Sequence, residues 1–351
     1  MSTPPTDLLQ KEIFEQPDVM QKLLDVGWLD IQRIVAALKR EEIRYVFLAA
    51  RGTSDNAGLY AKYLLGMKNQ LPVMLAAPSM FSIYRQPPDL SGALVMAVSQ
   101  SGQSPEIVSV LEEAGRQNTP TLAITNTPGS PIACTADKVI DLLAGDEKAV
   151  AATKSYTAQL MAIALLSAAL VEDDGQLALL QQVPGFMNEM LAHAEKIEQI
   201  AVRYRFLDRC VVLGRGYDYA TVHEWALKLK ETAYVLAEPY SSADFQHGPI
   251  ALVERGFPVM AVAARGGTQA SMTSLIEELA GQDQAELFIL SNDDSLRKAA
   301  QVSVPLPHQM DETLSPLVSI VACQLIAMHI ARVKGNNPAN PRRIQKVTET
   351  L

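Results

Sequence analysis

AVSQSGQSPEIV, residues 97–108, is where the apolar run GALVMAV (92–98) stops in a burst of hydroxyl and amide side chains. Pro105 then opens a helical pattern. A plain connection needs one or two turn residues. Three serines, two glutamines and a glycine between a strand and a helix point to an anion cradle instead. Such a loop lets backbone N–H groups converge, and the helix adds its positive end. Pro105 suits the first helical position, where its missing N–H costs nothing. The plainer reading is a polar loop whose Ser104 caps the helix. The stretch also has a counterpart, AVAARGGT (261–268), 164 residues further on. LAARGTSDNAG around Gly52 matches VLGRGYDYATV around Gly216 at the same offset, and DEKAVAATKSYTAQL from Asp146 matches DETLSPLVSIVACQL from Asp311 at 165. Three matches in one register predict two copies of one fold. The hydroxyls survive in only one: Ser99, Gln100, Ser101 and Ser104 face Ala263, Ala264, Arg265 and Thr268 in the other. One phosphate site per chain is expected.

Around these landmarks, apolar strands alternate with helical patterns. Residues 1–40 read as helical. Strands are expected at YVFLAA (45–50), PVMLAA (72–77), GALVMAV (92–98), PTLAIT (120–125) and KVIDLL (138–143). Helices are expected at 53–66, capped by Thr53 or Ser54, and at 105–117 and 152–171. After a polar break at 172–176 and a long helix at about 184–207, CVVLGRG restarts the alternation. The pattern predicts an α/β fold: two tandem copies of a doubly wound, mostly parallel five-stranded sheet sandwiched by helices. The expected divisions are a helical segment 1–40, a first domain 41–173 with the phosphate loop, a second domain 174–335 and a tail 336–351.

The chain has 351 residues, 48% hydrophobic and 20% charged, with a net charge of -9. That balance argues against nucleic acid or an anionic membrane as partner. An anionic substrate must then be held by local groups. Cys134, Cys210 and Cys323 form no CxxC or Cys/His pattern, so neither disulfides nor a metal site is expected, and all three read as core or near-core thiols. No basic-then-apolar leader opens the sequence, and the apolar stretches 156–171 and 314–330 are shorter than a span of about 20 residues. They read as buried helices of a cytoplasmic protein.

ARGTSDNAG, SQSGQSPE, TNTPGSPIA, AVAATKSYTAQL, GRG, ALKLKE and HGPIALVE, in that order, resemble the sugar isomerase (SIS) domain family, from about residue 40 onward. They are most similar to the isomerase half of glucosamine-6-phosphate synthase. GDEKAVAATKSY and SSADFQHGP look closer to the stand-alone glucosamine-6-phosphate deaminases of this fold. No cysteine follows Met1, so a glutamine-hydrolysing half is not expected.

Glu224, Lys228 and Glu231 lie four and three residues apart and share a helical face. By spacing alone they read as a solvated salt-bridge ladder. The resemblance implies that Glu231 carries the proton between C1 and C2 of an open-chain sugar, with Lys228 and Glu224 as charged neighbours. His247, in DFQHGP, reads by itself as a loop histidine. The resemblance gives it ring opening in the site of a neighbouring subunit, and so implies a homodimer with composite sites. Lys346 belongs to what composition reads as a mobile end; the resemblance folds this tail over the sugar. It also implies substrate contacts at Thr53, Ser54, Ser99, Gln100, Ser101, Ser104, Val150 and Ala152. Ala152 departs from the synthase pattern, which has Ser there. The expected activity is conversion of glucosamine 6-phosphate to fructose 6-phosphate and ammonia, with no metal or organic cofactor. The alternatives are a phosphosugar isomerase, a fructosamine-phosphate deglycase and a non-catalytic sugar-phosphate sensor.

Overall fold

Short apolar runs rich in Val, Leu, Ile and Ala form strands that must be buried on both faces. In the computed structural model, which describes residues 8–281 and 284–346, ten strands form; the central ones are buried along most of their length, whereas the edge strands Val73–Leu75 and Leu236–Ser241 are partly exposed. β1 (Tyr45–Ala49), β2 (Val73–Leu75), β3 (Ala93–Ser99), β4 (Thr121–Thr125) and β5 (Lys138–Asp141) make one sheet in the order β2-β1-β3-β4-β5. β6 (Arg209–Gly214), β7 (Leu236–Ser241), β8 (Pro258–Val262), β9 (Glu286–Ser291) and β10 (Val302–Pro305) make the other, in the order β7-β6-β8-β9-β10. Every ladder is parallel. The two sheets have the same strand order, as the repeat requires. The shared register extends to side chains. Phe47, Val95, Ala97 and Leu111 are core residues of the first copy, and Val211, Val259, Ala261 and Leu275 are their counterparts in the second.

The chain packs as two compact units, one of residues 18–148 and 152–182 with the tail from Arg343, the other of Pro17 and the described residues before it, Ala149–Ala151 and Val183–Arg342. In the first unit, alternate strand residues such as Phe47 and Val95 pack on the helix Pro105–Arg116. The other face is covered by the helices Thr53–Lys68 and Lys154–Val171. In the second unit the helix Gln269–Gly281 packs on one face of its sheet, and the helices Asp218–Lys228 and Ser315–Val333 pack together. Lys154–Val171 and Glu312–Val333 are long and apolar enough to cross a membrane by composition, but 89% and 100% of those windows are buried in the fold, so both are core helices.

Some local expectations are corrected. The stretch 184–207 is two helices, Val183–Leu191 and Ala194–Ala201, followed by a short 3-10 turn, Val202–Tyr204. The break falls where the His193 N–H bonds back three residues to Met190 rather than four. The helix at 53 is not capped by Thr53 or Ser54, which are its first residues; Gly52 holds the cap position with no side-chain bond. Cys134 is exposed, while Cys210 and Cys323 are buried. Burial pushes the Cys210 thiol up to about 12. At the amino terminus the described residues form the helices Leu8–Phe14 and Gln16–Lys22, broken at Glu15, and continue through a π turn at Leu23–Gly27 into the helix Trp28–Leu38.

Gly102 turns the loop after β3 with φ of +66°, and a Cβ there would sit 2.0 Å from Ser130 Oγ. Gly102→Ala is expected to lower stability by about 1–3 kcal/mol, the range for overpacking. Gly115, on the following helix, meets nothing within 4 Å. Gly115→Ala should instead add about 0.4–1 kcal/mol by stiffening the unfolded chain. Urea unfolding of the two variants checks both; equal midpoints would contradict the constraint at Gly102.

Candidate active site

The loop after β3 is held by its own hydroxyls. Gly102 N–H donates to Ser99 Oγ (3.1 Å) and Gln103 N–H to Ser101 Oγ (3.4 Å). The Gln100 carbonyl accepts from Asn126 N–H (3.1 Å) and the Thr125 hydroxyl (3.3 Å). Ser104 takes the cap position of the helix, but its side chain makes no cap bond. The plain capping role therefore does not account for this serine. Glu106, in the first turn of the helix, is 5% exposed and accepts two N–H bonds from Arg51 (2.9 and 3.1 Å). This pair ties the loop after β1 to the same helix end. Thr53 and Ser54 follow Arg51; Ser54 is buried and its hydroxyl accepts from Gln159 Nε2 (3.0 Å).

The counterpart loop in the second copy has its donors occupied by the chain itself. Ala264 N–H donates to Asp218 Oδ2 (3.2 Å), Arg265 N–H to Asn292 Oδ1 (2.7 Å) and Gly267 N–H to Glu312 Oε2 (2.9 Å). A Cβ on Gly266 would lie 2.0 Å from Glu312 Oε2, so the glycine makes room for the carboxylate. Burial pushes Asp218 up to about 6, although Ser315 and the Ala264 amide bond to it.

The helix Asp218–Lys228 runs on into one π turn, Leu229–Ala233. It brings together Glu224, Lys228 and Glu231. Lys228 Nζ lies 3.3 Å from Glu224 Oε1 and 2.6 Å from Glu231 Oε2. The side chains of Lys228 and Glu224 are 3% and 0% exposed, and that of Glu231 is 24% exposed. This is an enclosed charge group open on one side, not the solvated ladder that spacing alone suggests. Burial would discharge Lys228, but the two carboxylates outweigh it and hold its ammonium well above the ordinary lysine range. The π turn ends at Tyr234, whose hydroxyl accepts from Arg342 N–H (2.8 Å) and whose ring lies 4.0 Å under the Arg342 guanidinium.

His247 ends the short helix Ser242–Gln246 and is exposed. Among the described residues its ring makes no hydrogen bond with Glu224, Lys228 or Glu231. His223, next to Glu224, packs edge-on against Tyr219 (4.4 Å), and burial takes it down to about 4, so it stays neutral near pH 7.

In the other unit, Lys346 Nζ meets Glu147 Oε2 at 2.6 Å. Glu147 also accepts from Thr153 N–H, Ser155 N–H and the Ser155 hydroxyl, at 3.0, 3.0 and 2.7 Å. Ala152, just before Thr153, is half-buried. Val150 and Ala149 belong to the unit of Glu231, where Val150 N–H donates to the Ala339 carbonyl (3.3 Å) and Ala149 N–H is shared by the two oxygens of buried Glu12 (3.2 Å each). The tail beyond Lys346, VTETL, lies outside the described residues. Sequence reasoning gave Arg51 and Glu147 no role. The repeat held a signal for Glu147, because it pairs this residue with Glu312. Among the described residues no group of three His, Cys, Asp or Glu is placed to hold a metal ion.

The SIS domain model matches residues 41–169 and 207–334. The glutamine–fructose-6-phosphate aminotransferase (isomerizing) of Methanosarcina acetivorans is 36% identical over 353 residues, covering 96% of this chain and 57% of that protein. The chain thus spans a little over half the length of the curated relatives it matches. A phosphosugar isomerase candidate from Silicibacter pomeroyi is 34% identical, with a TM-score of 0.83 over 95% of this chain and 99% of that one. A glucosamine-6-phosphate deaminase from Thermotoga maritima, at 21% identity and a TM-score of 0.76 over 98% and 100% of the two chains, shares the fold. The chain belongs to the SIS domain family.

The Glu224–Lys228–Glu231 group makes a stability prediction. Lys228→Met leaves two carboxylates uncompensated, one of them fully enclosed. Removing one partner of a buried pair costs about 3–5 kcal/mol. Adding Glu224→Gln should recover part of that loss. Urea denaturation of the single and double variants measures it, and an undiminished midpoint for Lys228→Met would contradict the enclosed pair.

Proposed function

We propose that the chain converts glucosamine 6-phosphate to fructose 6-phosphate and ammonia. The observation that carries this reading is Glu231, a carboxylate open on one side and fixed on the other by the enclosed Lys228. Proton transfer at carbon needs a base held within reach of the proton that it takes. In the proposed route, the loop of Ser99, Gln100, Ser101 and Ser104 holds the phosphate, with Thr53, Ser54 and the backbone at Val150 and Ala152 as further substrate contacts. His247 opens the pyranose ring by moving the proton on O5. Glu231 takes the proton from C2 of the open-chain amino aldose and delivers it to C1, while the aldehyde oxygen becomes a hydroxyl. The C2 imine then adds water and releases ammonia. Overall, one water is consumed and one ammonia formed. Lys228 and Glu224 keep Glu231 oriented, and Lys346 adds a cation beside the sugar. The deaminase choice rests on the GDEKAVAATKSY and SSADFQHGP motifs. Similarity to the Silicibacter protein favours a second reading, aldose–ketose isomerisation without loss of ammonia. The domain divisions at 41–173, 174–335 and 336–351 belong to the same proposal, as does a homodimer.

Ammonia release from glucosamine 6-phosphate is the deciding assay. Glu231→Gln should lower kcat by about 10²- to 10⁴-fold, the contribution of a positioned acid–base group. Ser101→Ala should raise KM by roughly 10- to 100-fold with kcat nearly intact, because a bond to a charged phosphate that does not change in the reaction gives uniform binding. Ala263→Ser in the second copy should change neither. Interconversion of glucose 6-phosphate and fructose 6-phosphate, with no ammonia from the amino sugar, would replace the deaminase by the isomerase.

Subunit sharing has its own test. Inactive Glu231→Gln chains are mixed with inactive His247→Ala chains and allowed to exchange. If His247 serves the partner's site, each mixed dimer has one site with both native residues. About half of the dimers are mixed by random reassortment, so about a quarter of all sites should work. No recovery after verified exchange would place His247 in its own chain's site or outside the chemistry.

A further inference from the structure

The carboxylate of Glu147 is fully enclosed, and four donor groups bond to it. Thr153 and Ser155 N–H meet Oε1, and the Ser155 hydroxyl and Lys346 ammonium meet Oε2. Three of these donors belong to the cap residue Thr153 and the second residue Ser155 of the helix Lys154–Val171, so the carboxylate also closes the positive end of an 18-residue helix. A protonated Glu147 would turn its own O–H toward other donors. Burial alone would favour that neutral form, but the Lys346 ammonium and the Ser155 bonds overcome it and hold the carboxyl below its ordinary range.

We propose that Glu147 is the positioning residue of Lys346. It takes a lysine near the end of the chain, with four freely rotating bonds, and fixes its ammonium beside the 152–155 segment. This rests on the proposed role of Lys346 toward the sugar. The repeat marks the arrangement as particular to this copy. Glu312 stands at the matching position, and its carboxylate goes to Gly267 N–H in its own loop. The same acid thus caps a loop in one copy and anchors the tail lysine in the other. The Glu147 carboxylate touches no substrate in this account; it acts through Lys346, whose side chain remains 22% exposed.

The test uses the full chain and the variants Glu147→Gln, Glu147→Asp, Lys346→Met and Glu147→Gln/Lys346→Met. Pulse acetylation with acetic anhydride, read by mass spectrometry, reports how accessible Lys346 is. In Glu147→Gln its labelling rate should rise roughly 10- to 100-fold, the range for losing a charge-assisted bond. With glucosamine 6-phosphate, Glu147→Gln should lose about 10²-fold in kcat, the scale of a misplaced group. The double variant should be no slower than Lys346→Met alone, because the two losses share one cause. Glu147→Asp keeps the charge and should recover part of both readouts. Should Glu147→Gln fail to fold, Glu147→Asp with Ser155→Ala supplies the graded comparison. Unchanged labelling, independent and multiplying losses, or full activity in Glu147→Gln would each overturn the proposal. If the native chain turns over no sugar phosphate, the functional reading fails, and the labelling still decides whether Glu147 holds the lysine.

Discussion

Where a parallel strand hands over to a helix, several N–H groups are left without carbonyl partners, and something must accept from them. This constraint is met differently in the two copies of the fold. In the second copy the chain supplies its own acceptors: Asp218, Asn292 and Glu312 take the loop donors at Ala264, Arg265 and Gly267. In the first copy the loop is hydroxyl-rich, and its serines bond within the loop. One backbone design therefore yields a carboxylate-filled loop and a hydroxyl-lined one. The glycines follow the same logic, with Gly102 turning against Ser130 and Gly266 making room for Glu312.

A second constraint is the cost of enclosing charge. Lys228 keeps its proton in the interior because Glu224 and Glu231 flank it. Glu147 stays ionised because the Lys346 ammonium and the Ser155 N–H and hydroxyl that bond to it outweigh its burial. Such groups add little net stability relative to an apolar core, but removing one member is costly. They are better understood as devices that hold a charge at one place. In each unit a charged group is enclosed while one member remains partly open: Glu231 in one, Lys346 in the other.

Much of this was legible in the sequence. The offset shared by Gly52 and Gly216 and by Ala97 and Ala261 foretold two sheets of one strand order, because a repeated alternation of apolar runs and helices must bury the same faces twice. Helix breaks and caps were less legible. The run 184–207 keeps an apolar periodicity across a break at His193 that only local hydrogen bonding reveals, and Gly52 displaced the expected Thr or Ser cap. Cys134 looked apolar in its neighbourhood yet lies exposed, because burial depends on what packs over a short helix.

The candidate groups divide in the same way. Sequence alone placed Glu224, Lys228 and Glu231 on one helical face, since a period of 3.6 residues permits nothing else. Whether that face met water or protein was not in the spacing. Tertiary packing enclosed it, and so changed a solvated ladder into a held carboxylate. The repeat set Glu147 opposite Glu312, but its pairing with Lys346, 199 residues away, could not be read along the chain. Composition and periodicity are local quantities and fix which residues share a face. Enclosure and long-range pairing depend on the whole fold, and they decide which of those residues carry a held charge.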